Sequence, residues 1–214
     1  MWLRKVGDRA GPGALRHEPL MDTDPLAPRP LILDLGCGTT KRSGAVGIDI
    51  LPLPGVDLVG DALEILRGIS TGAVSAIYSS HFLEHVPDAE AIVREASRVL
   101  KHGGEFRAVV PHFSNPAFYS DPTHRNYFGL YTFGYWIRST PYRRKTPRYI
   151  DPLPFTMLNA THRFKSSRPF YVRHGIKKLL GSWVNLSRWT QEFYEEHLCW
   201  IMPCYELDYV LRRD

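Results

Sequence analysis

The 214-residue chain is poor in cysteine and has no long apolar run. Three scattered cysteines, Cys37, Cys199 and Cys204, cannot supply a disulfide framework, and the last two lack the companion ligands of a zinc ribbon. The absence of any 18-residue apolar stretch excludes a membrane-spanning helix, and the opening MWLRKVGDRAGPGALRHEPL lacks the apolar centre of a secretory signal. A reducing cytoplasm is therefore the expected compartment, and no internal repeat is evident. What remains is a globular composition, 43% hydrophobic and 23% charged, which suffices for one domain with a core and argues against wholesale disorder.

Net charge is only +5, yet it is unevenly spread. Between Pro122 and Lys178 stand twelve Lys/Arg against one acid, Asp151, so the rest of the chain is acidic. A basic half of this kind suits an anionic partner or a membrane surface, and equally a solvated face.

Residues 1–30, rich in Pro and Gly, read as a flexible N-terminal tail, and 31–214 as the domain. Five short apolar runs, Leu31 to Leu35, Ala45 to Ile50, Val56 to Gly60, Ala73 to Ser79 and Glu105 to Val110, predict mostly buried strands. Between the last two, Ile92, Val93, Ala96, Val99 and Leu100 recur at helical spacing, with Asp88 as N-cap and Gly103 and Gly104 as the stop. Strand, crossover, strand predicts an α/β fold, a doubly wound, mostly parallel sheet with ligands at the strands' carboxyl ends. Residues 111–175 are dense in aromatics, Pro and Arg and read as a substrate-facing insertion, with some helix near Asn126 to Ile137. Beyond His174, helical spacing gives way to the strand-like CYELDYVL.

The most informative stretch is a strand, then Gly36-Cys37-Gly38, then a strand ending in Asp49. Glycines let the backbone turn tightly and approach a ligand, and an acid at the end of the next strand can accept ribose hydroxyls. The third glycine of the dinucleotide fingerprint is missing, which favours an adenosyl ligand without a pyrophosphate.

LDLGCGTTKRSGAVGIDI, PGVDLVGDALE, AIYSSHFLEHVPD and LKHGGEF, in this order over roughly Leu31 to Pro111, resemble the class I S-adenosylmethionine-dependent methyltransferases. The resemblance is to a subgroup with a short loop after the glycine motif, and it implies the Rossmann-like methyltransferase fold with S-adenosyl-L-methionine as cofactor. It implies that Asp34, Gly36, Cys37 and Gly38 hold the methionine end, that Asp49 with Ile50 binds the ribose, and that Asp61 with Ala62 contacts the adenine. Ser79, Ser80 and His81 would then line the floor near the sulfonium. Only eight residues, Thr39 to Val46, separate Gly38 from Gly47, too few for a full helix. Cys37 also reads as a small packing residue, Asp57 as a strand end or turn cap, and Glu84 and His85 as loop fixation or catalysis.

A hydroxyl acceptor must lose a proton, which suits a histidine titrating near neutrality. The candidates follow the fifth strand: His112 as general base, Asp121 to orient a histidine, and His124. These types, with His81, also match metal ligands, but no metal is expected. Tyr127, Phe128, Tyr131, Phe133, Tyr135 and Trp136 either wall an acceptor pocket or form the insertion's own core. The expected reaction is O-methylation of a saccharide or other small hydroxylated metabolite, with an anionic acceptor suited to Arg143, Arg144, Lys145 and Arg148. The rivals are an RNA methyltransferase, disfavoured by the lack of an appended RNA-binding module, and a non-catalytic partner subunit. Trp183, Trp189 and Trp200 mark the C-terminal stretch as a candidate peripheral membrane or protein contact.

Overall fold

The computed structural model describes residues 30–166 and 169–214, so the expected N-terminal tail, apart from Pro30, lies outside the described residues. Eight strands form one sheet: β1 (Ile32–Leu35), β2 (Val46–Asp49), β3 (Leu58–Val59), β4 (Val74–Ser80), β5 (Leu100–Pro111), β6 (Ile137–Ser139), β7 (Leu153–Arg163) and β8 (Glu206–Arg213). Their spatial order is β3-β2-β1-β4-β5-β8-β7-β6. Every pairing is parallel except those of β8, which runs antiparallel between β5 and β7. The mostly parallel α/β sheet is thus the expected one, extended beyond β5 by three strands.

Four α-helices accompany it: α1 (Ala62–Gly68), α2 (Ala89–Val99), α3 (Tyr171–Val184) and α4 (Arg188–His197). The stripe read from sequence is the buried face of α2, with Ile92, Val93, Ala96 and Val99 packed into the main core beside Leu66 of α1. Asp88 caps α2 as expected, its Oδ1 accepting from Ala91 N at 2.9 Å. The helix ends sooner than its glycines suggested. Leu100 is already extended and pairs with Val74, while the Arg98 guanidinium donates to Leu66 O and Ile69 O and ties the last turn to the end of α1. Gly103 instead serves a turn at φ +76° within the long β5.

The stretch 111–175 is only partly an insertion, because β6 and β7 belong to the sheet. The β7 register shifts between Met157 and Asn159, which breaks the two-residue period of its apolar side chains. The intervening chain packs back on the core: Phe128, Leu130 and Phe133 are fully buried among Phe106, Phe155 and Tyr209, and Tyr209 Oη donates to Gly129 O at 2.5 Å. Phe128 and Phe133 are therefore core and do not wall a pocket. The helix expected near 126–137 is a single 3₁₀ turn, Thr132–Tyr135. A second small core under α3 and α4 gathers Phe164, Val184, Tyr194, Cys199 and Cys204. Among the described residues no helix is long and apolar enough to cross a membrane.

Candidate functional site

Two cavities adjoin at the carboxyl ends of β1 and β4, where a parallel sheet exposes its loops to ligands. The first, about 470 Å³, is lined by Ile48, Asp49, Ile50, Leu51, Gly60 to Leu63, Phe82, His85 to Asp88 and Ile92. The second, about 420 Å³, is lined by Asp34, Cys37, Thr40, Arg42, Tyr78, Ser79, Ser80, Arg107 and Arg163. Gly36 and His81 belong to both.

Glycine at position 36 is dictated by geometry. Its φ is +64°, and a Cβ there would fall 2.5 Å from Phe82 Cδ2 and 2.6 Å from Phe82 Cβ. Gly36 N and Cys37 N both donate to Ile48 O, so the turn is tied to β2. At the end of β2 the Asp49 carboxylate accepts from Gly38 N at 2.9 Å and Leu51 N at 3.0 Å, which aims it along the first cavity with acceptor capacity to spare. Asp61 N-caps α1 through Oδ1, which accepts from Leu63 N and Glu64 N, and leaves Oδ2 without a bond among the described residues.

The short loop that replaces a helix after the glycine motif is stapled at several points. Buried Asp34 accepts from Arg42 N at 2.7 Å, and burial, the largest influence, pushes its carboxyl above the usual range. Lys41 pairs with Asp57 at 2.8 Å, and Asp57 also accepts from Gly47 N, so Asp57 fixes this turn. The Arg42 guanidinium lies 3.7 Å over the Tyr78 ring and, among the described residues, has no carboxylate partner. The Cys37 thiol is buried against Gly47 and desolvation raises its pKa, so Cys37 is packing and not a nucleophile.

His81 stands at the junction and is the one non-glycine residue with positive φ among the described residues, at +52°. Its Nε2 lies 3.1 Å from Glu206 Oε2, and its Nδ1 lies 3.3 Å from Glu84 Oε1. The bond to Glu206, then the carboxylate of Glu84 beside it, outweighs burial and lifts its pKa to about 9, so the ring is a cation at neutral pH. Nearby Arg107 clamps Asp208 through two nitrogens, and Arg163 joins the same carboxylate. Sequence reasoning missed Arg42, Arg107 and Arg163 here. Their approach depends on sheet pairings between segments far apart in the chain.

The expected catalytic trio does not gather here. His112 continues the inward parity of Phe106, Ala108 and Val110, and its ring has no exposure. Its Nδ1 accepts from Ser114 N at 3.0 Å and its Nε2 lies 2.9 Å from Glu195 Oε2. It lines neither cavity, so the general-base assignment is corrected to a core hydrogen-bonding role. Asp121 accepts from Thr123, and His124 Nδ1 bonds Phe118 O at 2.8 Å; neither lines either cavity. Ser79 Oγ is buried facing the second cavity with no partner among the described residues.

Residues 33–108 match the family model described as a methyltransferase domain. Curated relatives named ubiquinone biosynthesis O-methyltransferase include one from Xanthomonas oryzae pv. oryzae, 36% identical over 95 residues, covering 35% of this chain and 40% of the relative. Another, from Chromobacterium violaceum, is 28% identical over 94 residues, covering 34% and 40%. The chain thus matches well under half the length of these relatives. Among solved structures, a SAM-dependent methyltransferase from Archaeoglobus fulgidus aligns over 86% of both chains with a TM-score of 0.55 at 14% identity. Residues 33–108 are thus similar to a methyltransferase domain, and the chain shares its fold with a solved SAM-dependent methyltransferase.

Proposed function

We propose that this chain binds S-adenosylmethionine across the two adjoining cavities and methylates an oxygen of a small hydroxylated metabolite, a saccharide being one such acceptor. The observation that carries the reading is the shared wall of Gly36 and His81, with Asp49 on one side and Asp34 with Arg42 on the other. The residues fit the cofactor: glycines admit close backbone approach, Asp49 offers acceptors to vicinal hydroxyls, and Phe82, Leu63 and Ile92 give apolar walls for a base. Asp34 suits an ammonium and Arg42 a carboxylate, the two charged groups of an amino acid.

When bound, S-adenosylmethionine supplies an electrophilic methyl group on a sulfonium. The chain's own part is alignment and exclusion of water, effects that supply several orders of magnitude in rate. Protonated His81, the cation at the junction, suits an anionic group of cofactor or acceptor and not proton removal. The names of the curated relatives support oxygen as the acceptor atom.

Calorimetric titration with S-adenosylmethionine and S-adenosylhomocysteine, followed by a labelled-methyl screen of sugars, phenols and nucleotides, tests the reading. Micromolar binding is expected, and no binding by either ligand would overturn it. Asp49→Ala should weaken S-adenosylhomocysteine by more than tenfold, since it removes hydrogen bonds to a charged acceptor. An unchanged dissociation constant would remove the ribose assignment.

Arg42→Ala separates the amino-acid end from the nucleoside end. Its loss should cost about tenfold or more against S-adenosylhomocysteine and leave 5′-methylthioadenosine, which has no carboxylate, unaffected. Equal weakening of both ligands would assign Arg42 to loop support alone.

A further inference from the structure

At the edge of the first cavity, which His85 lines and Glu84 and His124 do not, the turn after β4 meets the loop that follows Ser120. Glu84 and His85 sit in the turn and His124 in the loop, and donor atoms of the three lie within 4.8 Å of one another. Backbone bonds fix this apposition. Arg125 N and Asn126 N donate to Glu84 O at 2.7 and 3.2 Å, and Asn126 Nδ2 donates to Leu83 O and Val86 O at 2.9 and 2.7 Å.

The hydrogen-bond network sets both imidazole tautomers. Thr123 donates its hydroxyl to Asp121 Oδ1 at 2.6 Å, so Thr123 Oγ1 accepts from His85 Nδ1 at 2.8 Å. His124 Nδ1 lies 2.8 Å from Phe118 O, a carbonyl that can only accept. In its neutral form each ring therefore carries its hydrogen on Nδ1 and a lone pair on Nε2. Oxygen acceptors behind the distal nitrogen orient metal-binding histidines in this way.

The two rings pack against each other, centroids 4.7 Å apart, and in the same cluster the Glu84 side chain, 1% exposed, has neither carboxylate oxygen hydrogen-bonded among the described residues. Burying an unbonded carboxylate is costly unless a cation answers it. The nearest cation is His81, whose Nδ1 stands 3.3 Å from Oε1 without hydrogen-bond alignment and whose other nitrogen is held by Glu206. His85 Nε2 is 4.0 Å from the same oxygen.

We propose that Glu84, His85 and His124 bind a first-row divalent transition-metal ion. Two imidazoles and a carboxylate form a donor set that Zn²⁺ and its neighbours accept. Donors about 2.0–2.1 Å from such an ion stand roughly 3.4 Å apart in a tetrahedral site, within reach of side-chain rotation here. Asp121, with Oδ2 3.8 Å from His124 Nε2, adds negative potential beside the site. The other cluster of the same composition, His112, His162 and Glu195, differs in that its carboxylate already accepts from both rings and from Leu130 N.

Tag-free protein titrated with ZnCl₂ by calorimetry, and with CoCl₂ by visible absorption, tests the site without any need for turnover. One ion per chain is expected, with a Co²⁺ d–d band characteristic of mixed nitrogen and oxygen ligation. His124→Ala and Glu84→Gln should each weaken binding at least tenfold and abolish the band, and Thr123→Val should weaken it less. Because Glu84 is buried, the half-buried His124 position decides the matter if Glu84→Gln fails to fold, with circular dichroism as the check. No stoichiometric binding by the unaltered protein, or binding that survives His124→Ala, overturns the proposal.

Discussion

Gly36→Ala should abolish measurable S-adenosylmethionine binding and lower stability by about 2–4 kcal/mol. Two independent penalties meet at this position. A φ of +64° costs an L residue about 1–2 kcal/mol, and the added Cβ lands on the root of the Phe82 side chain, not on a flexible end that swings aside. Either Phe82 leaves the wall of the first cavity or the turn moves. Moving the turn strains the bonds from Gly36 N and Cys37 N to Ile48 O and the bond from Gly38 N to Asp49, which together hold the Asp49 carboxylate beside the first cavity. Thermal melts report the stability loss and calorimetry the affinity. A folded Gly36→Ala protein with unaltered affinity would show that the glycine turn does not touch the ligand.

Much of the fold was legible because its signals are local. The apolar runs of β1, β2 and β5 stop at Gly, Asp and Pro, that of β4 starts just after Gly72, and the α2 stripe with its Asp88 cap needs no tertiary information. Where tertiary pairing overrides the local pattern, legibility ends. Leu100 continues the helical stripe of α2 and yet opens β5, because sheet pairing with Val74 claims it. β7 hides for a different reason: Leu153, Phe155 and Met157 alternate inward, but the irregularity before Asn159 shifts Ala160 and His162 onto that face. A reader of the sequence sees two fragments too short to count as a strand.

The site divides along the same line. Asp34, Gly36 and Asp49, read from strand ends and a glycine turn, line the two cavities, whereas Gly38 lines neither and bonds Asp49 instead. His112 misled because a position just beyond a strand's end says nothing about which face the side chain takes. The alternation did carry that information: Phe106, Ala108 and Val110 are apolar, Glu105 and Arg107 are charged, and His112 shares the apolar parity. Arg42 and the Glu84, His85, His124 cluster depend on loops meeting across the fold, and no spacing rule reports that.

Glu195→Ala should be among the most destabilising single substitutions in the chain, at about 3–5 kcal/mol. The carboxylate is buried and accepts from His112 Nε2 at 2.9 Å, His162 Nε2 at 3.2 Å and Leu130 N at 2.7 Å, joining α4 to the end of β5, to β7 and to the chain that covers the sheet. Truncation strands three buried donors, a loss comparable with a large part of the roughly 5–15 kcal/mol that holds a domain together, and a melting temperature lower by roughly 6–20 °C follows. Acid makes a second test. Burial alone would raise the Glu195 pKa, but the two histidine bonds outweigh it and hold the carboxyl at about 2. A depressed folded pKa contributes stability that is complete above the unfolded value near 4.5 and disappears as pH falls through about 2, here about 3 kcal/mol. Melts from pH 5 downward should therefore show a smaller decline in Glu195→Gln than in the unaltered protein, the remainder coming from groups such as Glu206, also held at about 2. His112→Ala belongs to the same experiment: a core role predicts lost stability with methyl transfer retained by the folded fraction. Methyl transfer lost at unchanged stability would instead return His112 to the chemistry.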